Sequence, residues 1–223
     1  MRLTHGRITL ELHQLAQRSG PALLLLHALG GSSADWSAPS GALGEPTATW
    51  PGSVYALDFC GHGRSQRLTG GGYYPELLLG DADAALAHMG RGVIAGAGVG
   101  AYVSLLLAGT RTNLVPAALL LPGAGLDGGG ASPDFTNKFP EFLMSRTAGA
   151  DQHDPLAGAL DLFVRPIDYA EAFARAARHL LLWEDGAQRP PWWEAARRSP
   201  SALALDGDAR SAFRHLSEMA TGD

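Results

Sequence analysis

VIAGAGVGAYVSLLLAG, running from Val93 to Gly109, decides the fold. Val93–Ala97 is a short apolar run, the signature of a strand covered on both faces. Gly96, Gly98 and Gly100 then punctuate a tight turn, and Val99–Ala108 continues as an apolar helix. A buried strand passing through a glycine turn into a helix is the repeating unit of an α/β sheet. Working outward, Ala22–Leu26, Ser53–Asp58, Ala117–Leu121, Leu180–Trp183 and Ala202–Leu205 read as further strands. Ile8–Leu15 alternates apolar and polar residues, as an edge strand does. Helices are predicted at Tyr74–Met89, Val99–Ala108, Tyr169–Arg178, Trp192–Arg198 and Asp208–Ala220. The fold class is therefore α/β, a mostly parallel sheet flanked by helices, in a single domain over residues 1–223.

One stretch breaks the alternation. From about residue 122 to 167 the chain carries Gly128-Gly129-Gly130, several prolines and two weak helical patches, Phe139–Arg146 and Pro155–Val164. A long insertion between regular elements is commonly a lid or binding loop. It is expected to form a short lid over the carboxyl edge of the sheet.

Composition removes several classes of function. Of 223 residues, 46% are hydrophobic and the formal net charge is only −5, which excludes a disordered chain. No basic cluster suggests a nucleic-acid partner. The single cysteine, Cys60, excludes an internal disulfide framework and any multi-cysteine zinc site. The run Ala22–Leu26 is far too short to span a bilayer, and the first residues lack a signal-like apolar stretch. A cytoplasmic protein without a membrane partner is expected. No metal site or cofactor is implied.

Two further motifs join the first in a telling order. LLLLHALGGSSADW (Leu23–Trp36) takes a buried strand into a glycine-rich turn after His27. ALDFCGHGRS (Ala56–Ser65) ends a strand at Asp58 and continues as a glycine-punctuated loop. In this order and on these elements, the three motifs resemble the α/β-hydrolase family, from about residue 8 onward and least across the lid.

The resemblance implies a nucleophile elbow, G-x-S-x-G, at Gly96-Ala97-Gly98-Val99-Gly100. The nucleophile position is Gly98, which has no side chain to form an acyl-enzyme. The family's acid position falls at Gly186 or Ala187, with Glu184 and Asp185 one or two residues early. Asp208 stands where the histidine is expected, and His215 lies seven residues further on. The resemblance thus points to a degenerate triad, a pseudo-hydrolase. Its oxyanion hole would be the backbone N–H groups of Leu29 and Val99, the latter opening a helix that favours negative charge. The family's usual His-Gly is His27-Ala28 here.

Around these positions His27, Ala28, Trp36, Asp58, Cys60 and His153 are candidates to line a pocket, with His153 entering from the lid. His62, in Gly61-His62-Gly63, reads as a loop-fixing residue. The expected function is a hydrolase-fold protein without classical esterase activity that binds, or acts non-hydrolytically on, a small carbonyl-containing molecule. Other functions stay open: a hydrolase or lyase with relocated catalytic groups among His27, Asp58, Cys60 and His153, and a non-catalytic partner-binding protein. Gly96-Ala97-Gly98-Val99-Gly100-Ala101 also satisfies the dinucleotide fingerprint, although three strands precede it and no acid ends the next strand.

Overall fold

A computed structural model describes residues 1–37, 46–129 and 153–221. Among these residues seven strands form one sheet: β1 (Arg2–His5), β2 (Ile8–Leu26), β3 (Gly52–Asp58), β4 (Gly92–Ala97), β5 (Ala118–Leu121), β6 (Leu180–Trp183) and β7 (Ala202–Leu205). Their order is β1-β2-β4-β5-β6-β7, with β3 paired to β2. The pairs from β2–β4 through β6–β7 are parallel.

The long β2 run is folded over on itself. From Glu11↔Asp58 to Ala16↔Val54 it runs antiparallel to β3, whereas from Leu23↔Val54 to Leu26↔Leu57 the two registers advance together. Both Ser19 and Gly20 face Gly52 at the reversal, so β3 is held on its two edges by the two arms of β2. Ile8–Leu15 is consequently not the edge strand expected from its alternation. Arg2–His5 pairs outside it through a two-residue hairpin at Gly6-Arg7.

Helices follow the strands: α1 (Pro46–Thr49), α2 (Pro75–Met89), α3 (Val99–Thr110), α4 (Ile167–Ala176), α5 (Pro191–Arg197) and α6 (Ala209–Thr221). Prolines set several starts, because a residue without an N–H costs nothing in the first turn. Pro75 and Pro191 sit there, and Pro166 is the N-cap of α4. The period-2 geometry of a strand divides the core between the two sheet faces. Leu24, Leu26, Ile94, Leu120, Leu180 and Leu182 pack with α2, α3, α4 and α5 on one face. Leu23, Leu25, Val93, Ala95, Leu119 and Leu181 pack with Phe213 and Leu216 of α6 on the other.

The expected lid is only partly described. The patch Phe139–Arg146 lies outside the described residues. Pro155–Val164 includes a 3₁₀ turn, Pro155–Leu162, that buries Ala157 and Leu160 and is capped by the Asp154 carboxylate. Residues 122–126, at the start of the segment, lie against the β4–α3 turn rather than arching away from it. Among the described residues, no helix is long and apolar enough to cross a membrane.

Candidate functional site

The β4–α3 junction sits where parallel strands β2, β4 and β5 end side by side. Gly98 occupies its tip with φ 58° and ψ −121°, a conformation that favours glycine strongly. The flanking glycines are demanded by packing. A Cβ at Gly96 would lie 2.1 Å from the Gly100 carbonyl oxygen, and one at Gly100 would lie 2.4 Å from that of Leu26.

The space above Gly98 is already taken. The carbonyl oxygen of Ala124 accepts hydrogen bonds from Leu29 N–H at 3.0 Å and Val99 N–H at 3.1 Å. These are the two donors that the resemblance assigns to the oxyanion hole. A Cβ on Gly98 would fall 2.0 Å from the same oxygen. Glycines on either side allow the strip Gly123-Ala124-Gly125 to lie this close. A Cβ at Gly125 would meet Leu29 Cβ at 2.8 Å, and one at Gly123 would meet Ala28 Cβ at 3.2 Å. Gly98 N–H in turn donates to Leu121 O at 3.0 Å. Two backbone hydrogen bonds from the junction, and a third from Leu29 in the loop after β2, thus stitch it to the end of β5 and the chain that follows, and a bare α-carbon at Gly98 is a condition of that fit. Pro122-Gly123-Ala124-Gly125 was the available sequence signal, since small residues with glycine permit close backbone approach.

Beside this junction three imidazoles stand in a row. His27 and His62 have ring centroids 4.9 Å apart, and His62 and His153 stack at 5.6 Å. His153 thus enters the neighbourhood from the expected lid segment, where it pairs with His62 as an isolated bridge. His27 has both nitrogens engaged: Nδ1 donates to Ala28 O at 2.7 Å, and Nε2 accepts from Phe59 N–H at 3.1 Å. That tautomer follows because an amide N–H needs a lone pair. His62 Nδ1 is 3.2 Å from Cys60 O, while His62 Nε2 and His153 Nδ1 are buried without hydrogen-bond partners among the described residues. Burial lowers the proton affinity of His27, and that of His62 to about 3. Both are neutral rings at physiological pH, and fix loops as the glycine-flanked setting of His62 suggested.

Asp58 staples the loop after β3. Its carboxylate accepts from Ser33 N–H at 2.7 Å and Arg64 N–H at 2.9 Å, and pairs with His13 Nε2 at 3.0 Å. Burial pushes its pKa up, but the N–H donors of Arg64 and Ser33 and the nearby His13 outweigh that, leaving it lowered. His13 gave no signal in the sequence; only the antiparallel pairing of β2 with β3 brings it to Asp58.

Other expected site residues are elsewhere. Trp36 is a core residue on the α6 face of the sheet, carried there by a 3₁₀ turn that Ser32 caps, and lines no pocket at Gly98. Cys60 is wholly buried in the opposite core. Desolvation, together with the neighbouring Asp81 carboxylate, drives its thiol far above the usual range, which disfavours the thiolate that a nucleophile needs. The native protein is expected to leave Ellman's reagent unreduced until denaturant is added; a stoichiometric reaction before unfolding would contradict the burial. Gly186 is exposed with open space around it. Asp208 caps α6, its carboxylate accepting from Ser211 N–H at 2.7 Å, a role that explains an aspartate at this position. Asp185 is bound to Ala187 N–H and Arg189, Glu184 lies 3.7 Å from Arg197, and His215 Nδ1 donates to Ser211 O inside α6. None of these contacts links them to Gly98.

No protein-family model matches the chain, and no curated protein sequence matches it. Solved structures do. The chain is similar to the hypothetical protein PA1622 from Pseudomonas aeruginosa PAO1, with a TM-score of 0.66 and 19% identity over 98% of this chain and 96% of that one. A thermophilic esterase from Thermogutta terrifontis gives a TM-score of 0.67 at 18% identity, covering 98% and 94%. The bottromycin epimerase BotH, in complex with bottromycin A2, gives 0.61 at 18% identity, covering 99% and 96%. With a mostly parallel sheet, helices on both faces and a strand–turn–helix elbow, this is an α/β-hydrolase-fold protein.

Proposed function

We propose that this protein is a non-hydrolytic member of its fold, with the elbow serving as an internal joint rather than a catalytic centre. The observation that carries this is the double hydrogen bond from Leu29 and Val99 to Ala124 O. An oxyanion hole works by offering donors to charge that develops on the substrate. Here both donors are committed to the chain's own backbone, next to a residue with no side chain. The expectation that a ligand carbonyl rests in the hole is revised accordingly, because such a ligand would have to displace Ala124. A pyrophosphate at the start of α3 meets the same obstacle, which removes support from dinucleotide binding.

Relocated catalysis loses support as well. Cys60 is buried with its thiol held protonated, His27 has both ring nitrogens engaged, and the Asp58 carboxylate already accepts from Ser33 and Arg64 N–H. Of the four, His153 keeps a ring nitrogen without a partner among the described residues. Fold alone does not argue for hydrolysis. Among the fold neighbours, a protein named as an epimerase stands beside esterases.

The test is an activity-based one. Pure protein incubated with short p-nitrophenyl esters is expected to show turnover no faster than buffer, and a fluorophosphonate is expected to label no serine. Ester turnover together with stoichiometric labelling would overturn the proposal.

A further inference from the structure

The strongest unexplained feature lies away from the elbow, in a cavity of about 670 Å³ between the residues after β5, the start of α4 and the start of α5. Two arginines border it. Arg165 is only 5% exposed, yet its Nε and Nη2 have no hydrogen-bond partner among the described residues. Its Nη1 donates to Leu126 O, and the guanidinium carbon stands 5.2 Å from the centre of the Tyr102 ring. The side chain of Arg189 is 6% exposed. Its Nη2 donates to Asp185 at 2.6 Å while Nε is buried and, among the described residues, unpartnered.

Such an arrangement is costly. A buried donor left unpaired costs about 1–3 kcal/mol, and more when charged. Arg165 remains a cation at neutral pH, although desolvation brings it down to about 10. The position is also built. Gly128 leaves room for the guanidinium: a Cβ there would meet Arg165 Cγ at 3.1 Å and Cζ at 3.2 Å. Trp192 Nε1 shares Leu126 O with Arg165, at 2.9 Å, which fixes the same turn. The rest of the wall includes Val164, Ile167 and Trp192, with Val164 and Ile167 about half exposed.

We propose that this cavity binds a small carboxylic acid with an apolar body, its carboxylate held by the N–H donors of Arg165 and Arg189 that have no partner among the described residues. A guanidinium presents donors in a planar fork that matches a carboxylate's two oxygens. The volume falls within the range of small-molecule sites, which are mostly apolar with a few fixed polar groups. Asp127 and Asp168 also border the cavity; their negative charge favours a monoanion over a dianionic phosphate. The proposal is independent of the elbow, since an active esterase centre there would leave these arginines unexplained.

The test uses calorimetry and tryptophan fluorescence on the full chain. The probes are 4-phenylbutyrate and octanoate, their alcohols 4-phenylbutan-1-ol and octan-1-ol, and inorganic phosphate. Each acid is expected to saturate with a Kd at least about tenfold below that of its alcohol, the margin of one charge-assisted pair. Arg165→Met is expected to raise the acid Kd about tenfold or more while leaving the alcohol unchanged. R165M also gives up the hydrogen bond to Leu126 O and the contact with Tyr102, so the decisive readout is the acid-to-alcohol selectivity, which a merely structural arginine would not move. Should R165M not fold, Arg189→Gln must give the same selective loss for acids. Equal binding of acid and alcohol, acid binding untouched by either variant, tighter binding of phosphate, or no acid binding up to roughly 10 mM would each overturn the proposal.

Discussion

Gly98→Ala is expected to cost at least about 3 kcal/mol of folding stability, and Gly98→Ser is expected to behave alike without gaining esterase activity. Two effects combine. At φ 58° and ψ −121° any side chain is strained, which costs roughly 1–3 kcal/mol. The new Cβ would also fall 2.0 Å from Ala124 O, so the strip Gly123–Gly125 must move. Moving it breaks the bonds from Leu29 and Val99, and each donor left dry costs about 1–3 kcal/mol. Urea denaturation of the wild type and both variants checks this. A G98A protein as stable as the wild type would mean that the strip is not locked on the elbow. The serine variant matters separately: a hydroxyl restored by name does not restore a hole that is filled by backbone.

Acid should unfold the protein well before its carboxylates are protonated. His62 has its proton affinity lowered to about 3, by burial and then by the His27 ring beside it. In the unfolded chain a histidine protonates near 6.5. Between these values the unfolded state binds the extra proton, so stability is full above about pH 6.5 and falls as the pH drops. The slope approaches 1.4 kcal/mol per pH unit for each such histidine, and His27, lowered in the same direction, adds to it. Asp58 is also lowered, but its contribution is lost only below about pH 4, where the unfolded carboxylate takes its proton. Asp81 is raised by burial and opposes the trend on acidification. Denaturant titrations at successive pH values should therefore show a steep loss between about pH 6 and 4.5. His62→Phe should flatten it, by on the order of 2 kcal/mol across that window. An unchanged slope in the variant would show that His62 is not held neutral by the fold.

Much of the fold was legible because its strands announce themselves. Val93–Ala97 and Leu180–Trp183 are short, apolar and bounded by turn residues, and the sheet places both among its central members. Helix limits moved by only one or two residues, and prolines or caps explain the shifts: Pro191 starts α5, and Asp208 caps α6 instead of joining it. The hairpin partner Arg2–His5 is not legible in the sequence, because four residues of mixed polarity carry no period strong enough to read alone. At the site, the glycines of the elbow and the positions of Leu29 and Val99 could be taken from local motifs. What fills the hole could not. The bond from Val99 to Ala124 joins residues 25 positions apart, and that from Leu29 to Ala124 joins residues 95 apart. Both use backbone atoms, which every residue has, so no residue type marks them. Trp36 illustrates the converse: its type suggested a ligand wall, but a four-residue turn directs it into the core.

Ala124 O is the partner of both oxyanion-type donors in the free protein. Hydrogen-bond scalar couplings measured on deuterated, ¹⁵N,¹³C-labelled protein test it directly. The amide nitrogens of Leu29 and Val99 should both correlate with one carbonyl carbon, that of Ala124, and both amides should exchange slowly with solvent. Absence of both correlations, with amides exchanging as fast as those of an open loop, would contradict the account and return the hole to a ligand.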